Sequence, residues 1–472
     1  MAVDCSLLRS FLVLLLLLHH HLAFVVHATE EDQPPLPLLP AGEQEAAYLA
    51  LESINPSIPW RSLYPDDLCL SGPHGIVCDL FPSSSASSAK ADASPHIVEL
   101  NFGYLSDFSS NPACGLNATL PTSLSSFPFL RKLFFYNCFT TTRASITRDF
   151  WNLSLAVEEL VFHENPSLAG SLSGRVGGFI RLRRLIVSGT RIFGIIPPEV
   201  GNLQQLEQLV LSRNRLRGEI PGSIGQLGVL KVLDLCGNHI GGVLPAEIGR
   251  MTALVKLDLG SNRISGGVPP ELGQLRQVEL LDLSENRLTG GVPAALAEMA
   301  NLRELHLSRN PLGGTIPEIW EKLGRILGIG MSRLGLVGNI PSSMGLLLGN
   351  VRYLAMDNNK LEGEVPEQFR RMEGSAVEIN LENNGLRGRL PFSASFVGRL
   401  GSKLKLGGNR ELCLGEDLAS GIAGLRRCNK TAVPHTVLFT SGVSSSYISS
   451  LSYRDFLFLF LFLFLCIVLT RD

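Results

Sequence analysis

The sequence predicts an α/β solenoid, a stack of about 13 coils with a long parallel sheet along its concave side and a cysteine pair near each end. Three observations predict it. First, one polar column recurs at Leu105, Cys138, Asn165, Thr190, Asn214, Asn238, Asn262, Asn286, Asn310, Leu334, Asn359, Asn384 and Asn409, with a constant step of 24 residues from Thr190 to Leu334 and of 25 from there to Asn409. Second, each column residue follows an apolar-x-apolar segment, most often Leu-x-Leu, whose period of two describes a short strand with one buried face. Third, a glycine four residues after the column (Gly194 to Gly388) and a proline seven after it (Pro197 to Pro391) hold register through nine consecutive coils. Glycine permits the turn out of the strand, and proline fixes φ where the chain starts back. A coil cannot bury its apolar face alone, so neighbouring coils must supply the rest of the core. The column asparagine leaves the strand where its amide can serve backbone groups of its own and the adjacent coil.

The elements follow in chain order. Residues 1–28 read as a secretory signal: Arg9, the apolar run Phe11–Leu18, and small residues before a cleavage point after Ala28. His19, His20 and His21 leave with it, and so are no metal ligands. Residues 29–96 form an N-terminal cap. It comprises a Pro-rich acidic stretch (Thr29–Pro40), a helix over Glu43–Ile54 ended by Asn55-Pro56, the pair Cys69/Cys78, and a Ser/Ala-rich surface loop over Phe81–Ala93. The repeats occupy 97–412, and Cys413 and Cys428 define a C-terminal cap over 413–430. Residues 431–455 are a linker. Residues 456–472 hold 14 unbroken apolar residues, Phe456–Leu469, which are short of the roughly 20 a membrane span needs. They suit the removed tail of a GPI signal with attachment at Ser444, while Arg471 and Asp472 keep a single span open. With three residues after the tail, no intracellular signalling domain is expected.

Seven cysteines remain between the two processing segments. In a secreted chain the short spacings pair Cys69 with Cys78 and Cys413 with Cys428. Cys114 and Cys138 form a third pair, unless Cys138 serves only as a column residue. Cys236 is the odd thiol. Asn117, Asn152 and Asn429 begin glycosylation sequons.

The formal charge is −2, from 41 Lys and Arg against 43 Asp and Glu, so no strong field draws nucleic acid. No nucleophile–base constellation, phosphate-binding glycine loop or kinase motif is present. We therefore expect no enzyme, no cofactor, no metal and no small-molecule substrate. Asp234, Asp258 and Asp282 make a carboxylate column, which we read as ordinary solvated acids of Leu-Asp-Leu segments. Arg183 and Arg184 stand beside Glu158, Glu159 and Glu207, where cross-strand pairing accounts for them. Strand parity turns two sets of residues outward. One set is apolar at Phe134, Val161, Ile186 and Val210 and polar from Asp234 on; the other begins Tyr136, His163. Exposed apolar and aromatic surface marks an interaction site, so Phe134, Tyr136, Val161, His163 and Ile186 are the candidate partner contacts. The competing reading is that the insertion around Asp107–Thr119, or a glycan at Asn117, covers them.

The segments Leu216-Arg217-Gly218-Glu219-Ile220-Pro221 and Leu361-Glu362-Gly363-Glu364-Val365-Pro366 resemble the plant-specific class of extracellular leucine-rich repeats. That resemblance implies a right-handed superhelix and a second sheet at these segments. Glu45–Trp60, His74–Cys78, His96–Leu100, Asn117–Pro121 and Leu133–Phe139 are similar to the Piriformospora indica-insensitive protein 2 group, kinase-less receptor-like proteins linked to the root response to a beneficial fungus. The resemblance implies a non-catalytic receptor-like protein or co-receptor. It would be anchored at the outer face of the plasma membrane, take a protein or peptide ligand on its concave face, and work with a partner receptor kinase. A secreted inhibitor of the polygalacturonase-inhibitor type is the alternative. Thr190 and Leu334 depart from the asparagine column and are expected to soften the stacking locally.

Overall fold

The structure, a computed structural model, describes residues 38–73, 75–82, 93–103, 111–347, 349–415 and 425–428. The signal segment, Leu105, Asp107, Asn429, Ser444, the linker and the apolar tail lie outside the described residues. Contacts divide the chain into two units, Met1–Cys428 and Asn429–Asp472, and only the first contains described residues.

A 14-stranded sheet runs the length of the first unit. Its edge strand β1 (Ile76–Pro82) is antiparallel to β2 (Ala93–Phe102), and every later pairing is parallel, from β3 (Lys132–Tyr136) to Leu404–Lys405. Phe81 and Ala93, expected at the ends of a surface loop, are instead paired in this hairpin: Phe81 faces Ser94 and Pro82 faces Ala93. The sheet therefore begins ahead of the expected boundary at residue 97. On the opposite side of each coil, short 3-10 turns such as Gly222–Gln226 and Ala246–Arg250 start one residue after the column proline. The core lies between. Leu209, Leu233, Leu257, Leu281 and Leu305 are all fully buried, as are the turn residues Ile224, Ile248 and Leu296.

The asparagines form the expected ladder. Asn286 Nδ2 donates to Leu259 O of the preceding coil at 2.9 Å and to Leu283 O and Ser284 O of its own, while its Oδ1 accepts from Ile264 N at 2.9 Å. The same pattern repeats at Asn238, Asn262, Asn359 and Asn384. At Thr190 the hydroxyl meets Asn214 Oδ1 and is 3.3 Å from Ile192 N, so a short side chain partly fills the gap. Leu334 offers no acceptor to the preceding coil.

The glycines four after the column all have positive φ, from 71° at Gly242 to 92° at Gly194. One further position was not anticipated. The residue just before the column is left-handed in every described coil from Asn137 on, and nine of these residues are not glycine, among them Glu164, Arg213, Ser261 and Arg309. This conformation is costly for L-residues. It persists because the strand must turn there for the next residue to enter the ladder.

The second sheet occurs as three pieces among the described residues: four strands (Ala144–Ile146 to Arg215–Leu216), two (Ser265–Gly266 and Arg287–Leu288) and five (Val337–Asn339 to Arg426–Arg427). The gap before the last piece has a local cause: Pro311 has no N–H to give, and Gly313 and Gly314 are both left-handed. Strands Glu411–Leu414 and Arg426–Arg427 extend the second sheet into the C-terminal cysteine pair.

At the N-terminal end, helix α1 (Ala41–Ile54) buries Ala46, Ala47, Ala50, Leu51 and Ile54. Its buried Glu43 accepts from Ile97 N at 3.1 Å and meets His96 Nδ1 at 2.5 Å, which satisfies the start of the first coil. Disulfides join Cys69 to Cys78, Cys114 to Cys138 and Cys413 to Cys428, with Cα separations of 5.6, 4.8 and 4.9 Å. Cys138 is thus both a column residue and a bridge.

Candidate functional site

The outward face of the long sheet is built from positions six, four and two before each column residue. Register places the five sequence-selected residues side by side: Phe134 pairs with Val161 and Val161 with Ile186, while Tyr136 pairs with His163 and His163 with Ser188. The Tyr136 and His163 rings stack at 5.6 Å, and His163 Nδ1 lies 2.6 Å from Ser188 Oγ. Burial lowers the His163 pKa, Glu164 opposes this and Arg213 adds to it, which leaves it below the ordinary histidine range. On the other flank, Lys132 faces Glu99 at 3.5 Å and Arg184 faces Glu159 at 3.1 Å.

The geometry corrects the expected exposure. Val161 and Ile186 are only 6% and 8% exposed, and Phe134, Tyr136 and His163 are half-buried. Pairs on both flanks crowd the central row, so it is a shallow apolar floor rather than a broad open patch. Of the expected cover, the described part of the insertion bonds elsewhere. Gly115 N donates to Ile54 O, Thr119 N to Ser53 O, and the Thr142 hydroxyl to Leu116 O. Asn117 and Asn152 are both exposed.

Along the same face the apolar row gives way to charge. Asp234, Asp258, Asp282 and His306 are consecutive register partners. The expectation that these acids are solvated fails at two of them: Asp234 is 4% exposed and Asp258 2%. The signal missed was Lys256, two residues before Asp258 and therefore on the same face. Its Nζ lies 2.8 Å from Asp234 and 3.4 Å from Asp258, and its aliphatic stem covers them. Burial disfavours the Lys256 ammonium, but the two carboxylates outweigh it and hold the charge. Burial, Asp234 and Asp282 push Asp258 up to about 7 against the pull of Lys256. Burial also lowers His306, yet its hydrogen bond to Glu304 and the charges of Asp282, Glu304 and Asp258 raise it overall.

Ligand atoms of Asp234, Cys236 and Asp258 lie within 4.8 Å of one another. The Lys256 ammonium already supplies the positive charge that this group calls for. Burial and the neighbouring acids push the Cys236 thiol well above its ordinary range, which leaves a poor thiolate ligand or nucleophile.

Coils of this repeat, an asparagine ladder and a parallel sheet with 3-10 turns opposite define a leucine-rich-repeat fold. The family model described as "Leucine-rich repeat region" matches residues 160–365. The chain resembles plant receptor-like proteins: Receptor like protein 29 of Arabidopsis thaliana is 34% identical over 158 residues, covering 32% of this chain and 31% of that protein. Piriformospora indica-insensitive protein 2 of the same plant is 31% identical over 147 residues, covering 31% and 32%. The matches thus span about a third of the length of each relative. Among solved structures, that of a TDR receptor superposes with a TM-score of 0.55 at 26% identity, over 63% of this chain and 50% of that one. Among the described residues, no helix is long and apolar enough to cross a membrane.

Proposed function

We propose that this protein is a non-catalytic receptor-like protein or co-receptor that captures a protein or peptide partner on the outward face of its long sheet. One observation carries the reading: three adjacent strands bring Phe134, Tyr136, Val161, His163 and Ile186 into a continuous floor on a sheet face with no covering element among the described residues. A floor of apolar side chains with a stacked Tyr–His edge supplies desolvated contact area, and the flanking ion pairs supply a polar rim. The similarity to receptor-like proteins supports the class. The similarity to Piriformospora indica-insensitive protein 2 supports a role in the root response to beneficial fungi. In this reading the signal segment directs secretion, Asn117, Asn152 and Asn429 carry glycans, and the tail anchors the chain through a GPI group at Ser444 or as a span. A partner receptor kinase relays the signal.

The test compares affinity capture from plant root membranes by the wild-type ectodomain and by Phe134→Ser and Tyr136→Ala. These residues are half-buried, so the variants are expected to fold, whereas a charge at the buried Ile186 would disturb packing. Phe193→Ser, on the second sheet and 52% exposed, is the control. Loss of a captured receptor kinase in the first two variants alone supports the proposal. Unchanged capture in all three refutes it, and capture of a secreted polysaccharide hydrolase instead favours the inhibitor alternative.

A further inference from the structure

A second apolar feature lies away from the long sheet, where the 3-10 turns end. The same tight turn closes each coil there: Leu130 N donates to Phe127 O, Val157 N to Ser154 O, Leu182 N to Phe179 O and Leu206 N to Leu203 O, at 2.8–3.4 Å. The first central residue of this turn is Pro128, then Leu155, Ile180 and Gln204, and in the following coils Gly228, Thr252, Arg276 and Ala300. Bulky apolar residues at this corner are therefore confined to the first coils. Leu155 is 67% exposed and Ile180, one coil on, 62%. The Ser154 hydroxyl donates to Pro128 O at 2.6 Å, which holds the Leu155 turn against the coil before it. The three residues form a short apolar ridge rather than scattered exposed side chains.

Asn152 stands at the edge of this ridge. It ends the 3-10 turn Asp149–Asn152, three residues before Leu155, so their Cα atoms are at most about 11 Å apart. Its Oδ1 accepts from Arg175 Nη1 of the next coil, the coil that carries Ile180, and its Nδ2 makes no hydrogen bond among the described residues. Asparagines of later turns spend Nδ2 on the protein: Asn301 donates to Arg276 O at 3.0 Å and Asn350 to Gly324 O at 3.3 Å. Asn152 begins the sequon Asn152-Leu153-Ser154, and glycosylation would use that Nδ2 while leaving Oδ1 to Arg175. The other sequon among the described residues repeats the juxtaposition. Leu116 and Asn117 are the two central residues of a turn closed by Ala118 N donating to Gly115 O at 3.0 Å. Leu116, 75% exposed, and Leu155 are the two most exposed large apolar side chains among the described residues. Both lie within three residues of a sequon asparagine.

We propose that the N-acetylglucosamine joined to Asn152 lies over Leu155 and Ile180 and is the cover of this ridge. The proposal rests on the reading that Asn152 carries a glycan, and adds what the first sugar of that glycan does. A pyranose ring offers one face of C–H groups, and its acetamido group a methyl. Both gain by leaving water against leucine and isoleucine side chains, while the hydroxyls and the sugars beyond stay in solvent. A second copy of the chain is a poorer occupant, because a hydrated glycan rooted at the edge of the ridge would hold it off. With the ridge covered, the floor on the long sheet is left as the apolar surface open to a partner.

The experiment is hydroxyl-radical footprinting of the full-length protein, made in plant cells with glycan processing arrested at the oligomannose stage. Three forms are compared: untreated, trimmed by endoglycosidase H to a single N-acetylglucosamine, and freed of sugar by peptide-N-glycosidase F. Remaining sugar is removed after labelling, and tryptic peptides 149–175 and 176–181 report Leu155 and Ile180. Both residues are expected to label about half as fast in the first two forms as in the third, since a ring lying over a side chain takes one of its faces out of water. Phe193, on the second sheet, should label equally in all three, which verifies that the fold is kept. Equal labelling of Leu155 and Ile180 in the three forms overturns the proposal: fast labelling means an open ridge, slow labelling a protein cover such as a second copy. Protection lost on trimming to one sugar overturns the assignment to the first sugar. Peptide 149–175 with no sugar on Asn152 overturns the proposal together with its premise, and the peptide mass separates that failure from the others.

Discussion

Replacing one ladder asparagine should cost far more than replacing an asparagine on the opposite side of the same stretch of chain. Asn286→Ala removes a side chain that donates to Leu259 O at 2.9 Å and accepts from Ile264 N at 2.9 Å. Leu259 O keeps the bond from Asn262 Nδ2 at 3.1 Å, but Ile264 is 2% exposed, so its stranded N–H gains no water in exchange. A stranded buried polar group costs about 1–3 kcal/mol, and this sets the expected loss. Asn301 bonds Arg276 O at 3.0 Å and Arg325 Nη1 at 2.8 Å, but at a surface where water replaces both. Its loss should be under about 1 kcal/mol. Urea melts followed by circular dichroism, with both variants compared to wild type, measure the difference. Equal midpoints would mean that the ladder amides are not the partners of the buried backbone, and the register argument would fall with them.

Three further outcomes follow from the same geometry. Leu334 leaves Leu312 N–H without the side-chain acceptor that Asn310 gives Leu288 at 3.0 Å. The Leu312 amide should therefore exchange hydrogen faster than Leu288, and equal protection would show that another group compensates. Reduction should loosen the ends before the middle, since all three disulfides lie toward the termini; earliest exchange near Asn262 would contradict this. Asp258, raised to about 7, and His306, raised above its ordinary value, both add stability at low pH that is lost as pH climbs through their folded values. The melting temperature should fall from pH 5.5 to 8, less steeply in Asp258→Asn, and parallel slopes in the two proteins would exclude Asp258 as the cause.

What was legible in the sequence is what the repeat dictates. The Leu-x-Leu parity, the asparagine column and the Gly and Pro offsets are backbone requirements of every coil, so repetition makes them visible. Parity also assembled Phe134, Val161 and Ile186 in one row. How deeply these residues sit was not legible, because burial on an outward face depends on how far neighbouring side chains reach. The Tyr136–His163 stack and the Arg184–Glu159 pair crowd the row from both sides. Lys256 reaching across to Asp234 makes the same point: its spacing to Asp258 was plain, but its fold over the carboxylates was not. The left-handed position before the ladder was hidden because Glu164, Arg213, Ser261 and Arg309 share no side-chain property.

A solenoid faces a problem that a globular binding site does not. Moving a ligand by one coil, about 4.8 Å, returns it to the same backbone, so register along the face must come from side chains that break the repeat. Here the break is sharp: Val210 ends the apolar row, and the buried Asp234–Lys256–Asp258 group begins at the next strand. Such a group is a poor way to add stability. Desolvating two carboxylates and an ammonium consumes most of what their attraction returns, and apolar side chains of similar volume would often do as well or better. Its effect on an extended ligand is different in kind. An apolar side chain of a partner shifted one coil too far would have to displace Lys256 from its two carboxylates, stranding buried charge. If the outward face takes its partner as proposed, the charged group acts as an end-stop that defines where the apolar floor is read, independently of how strongly that floor attracts.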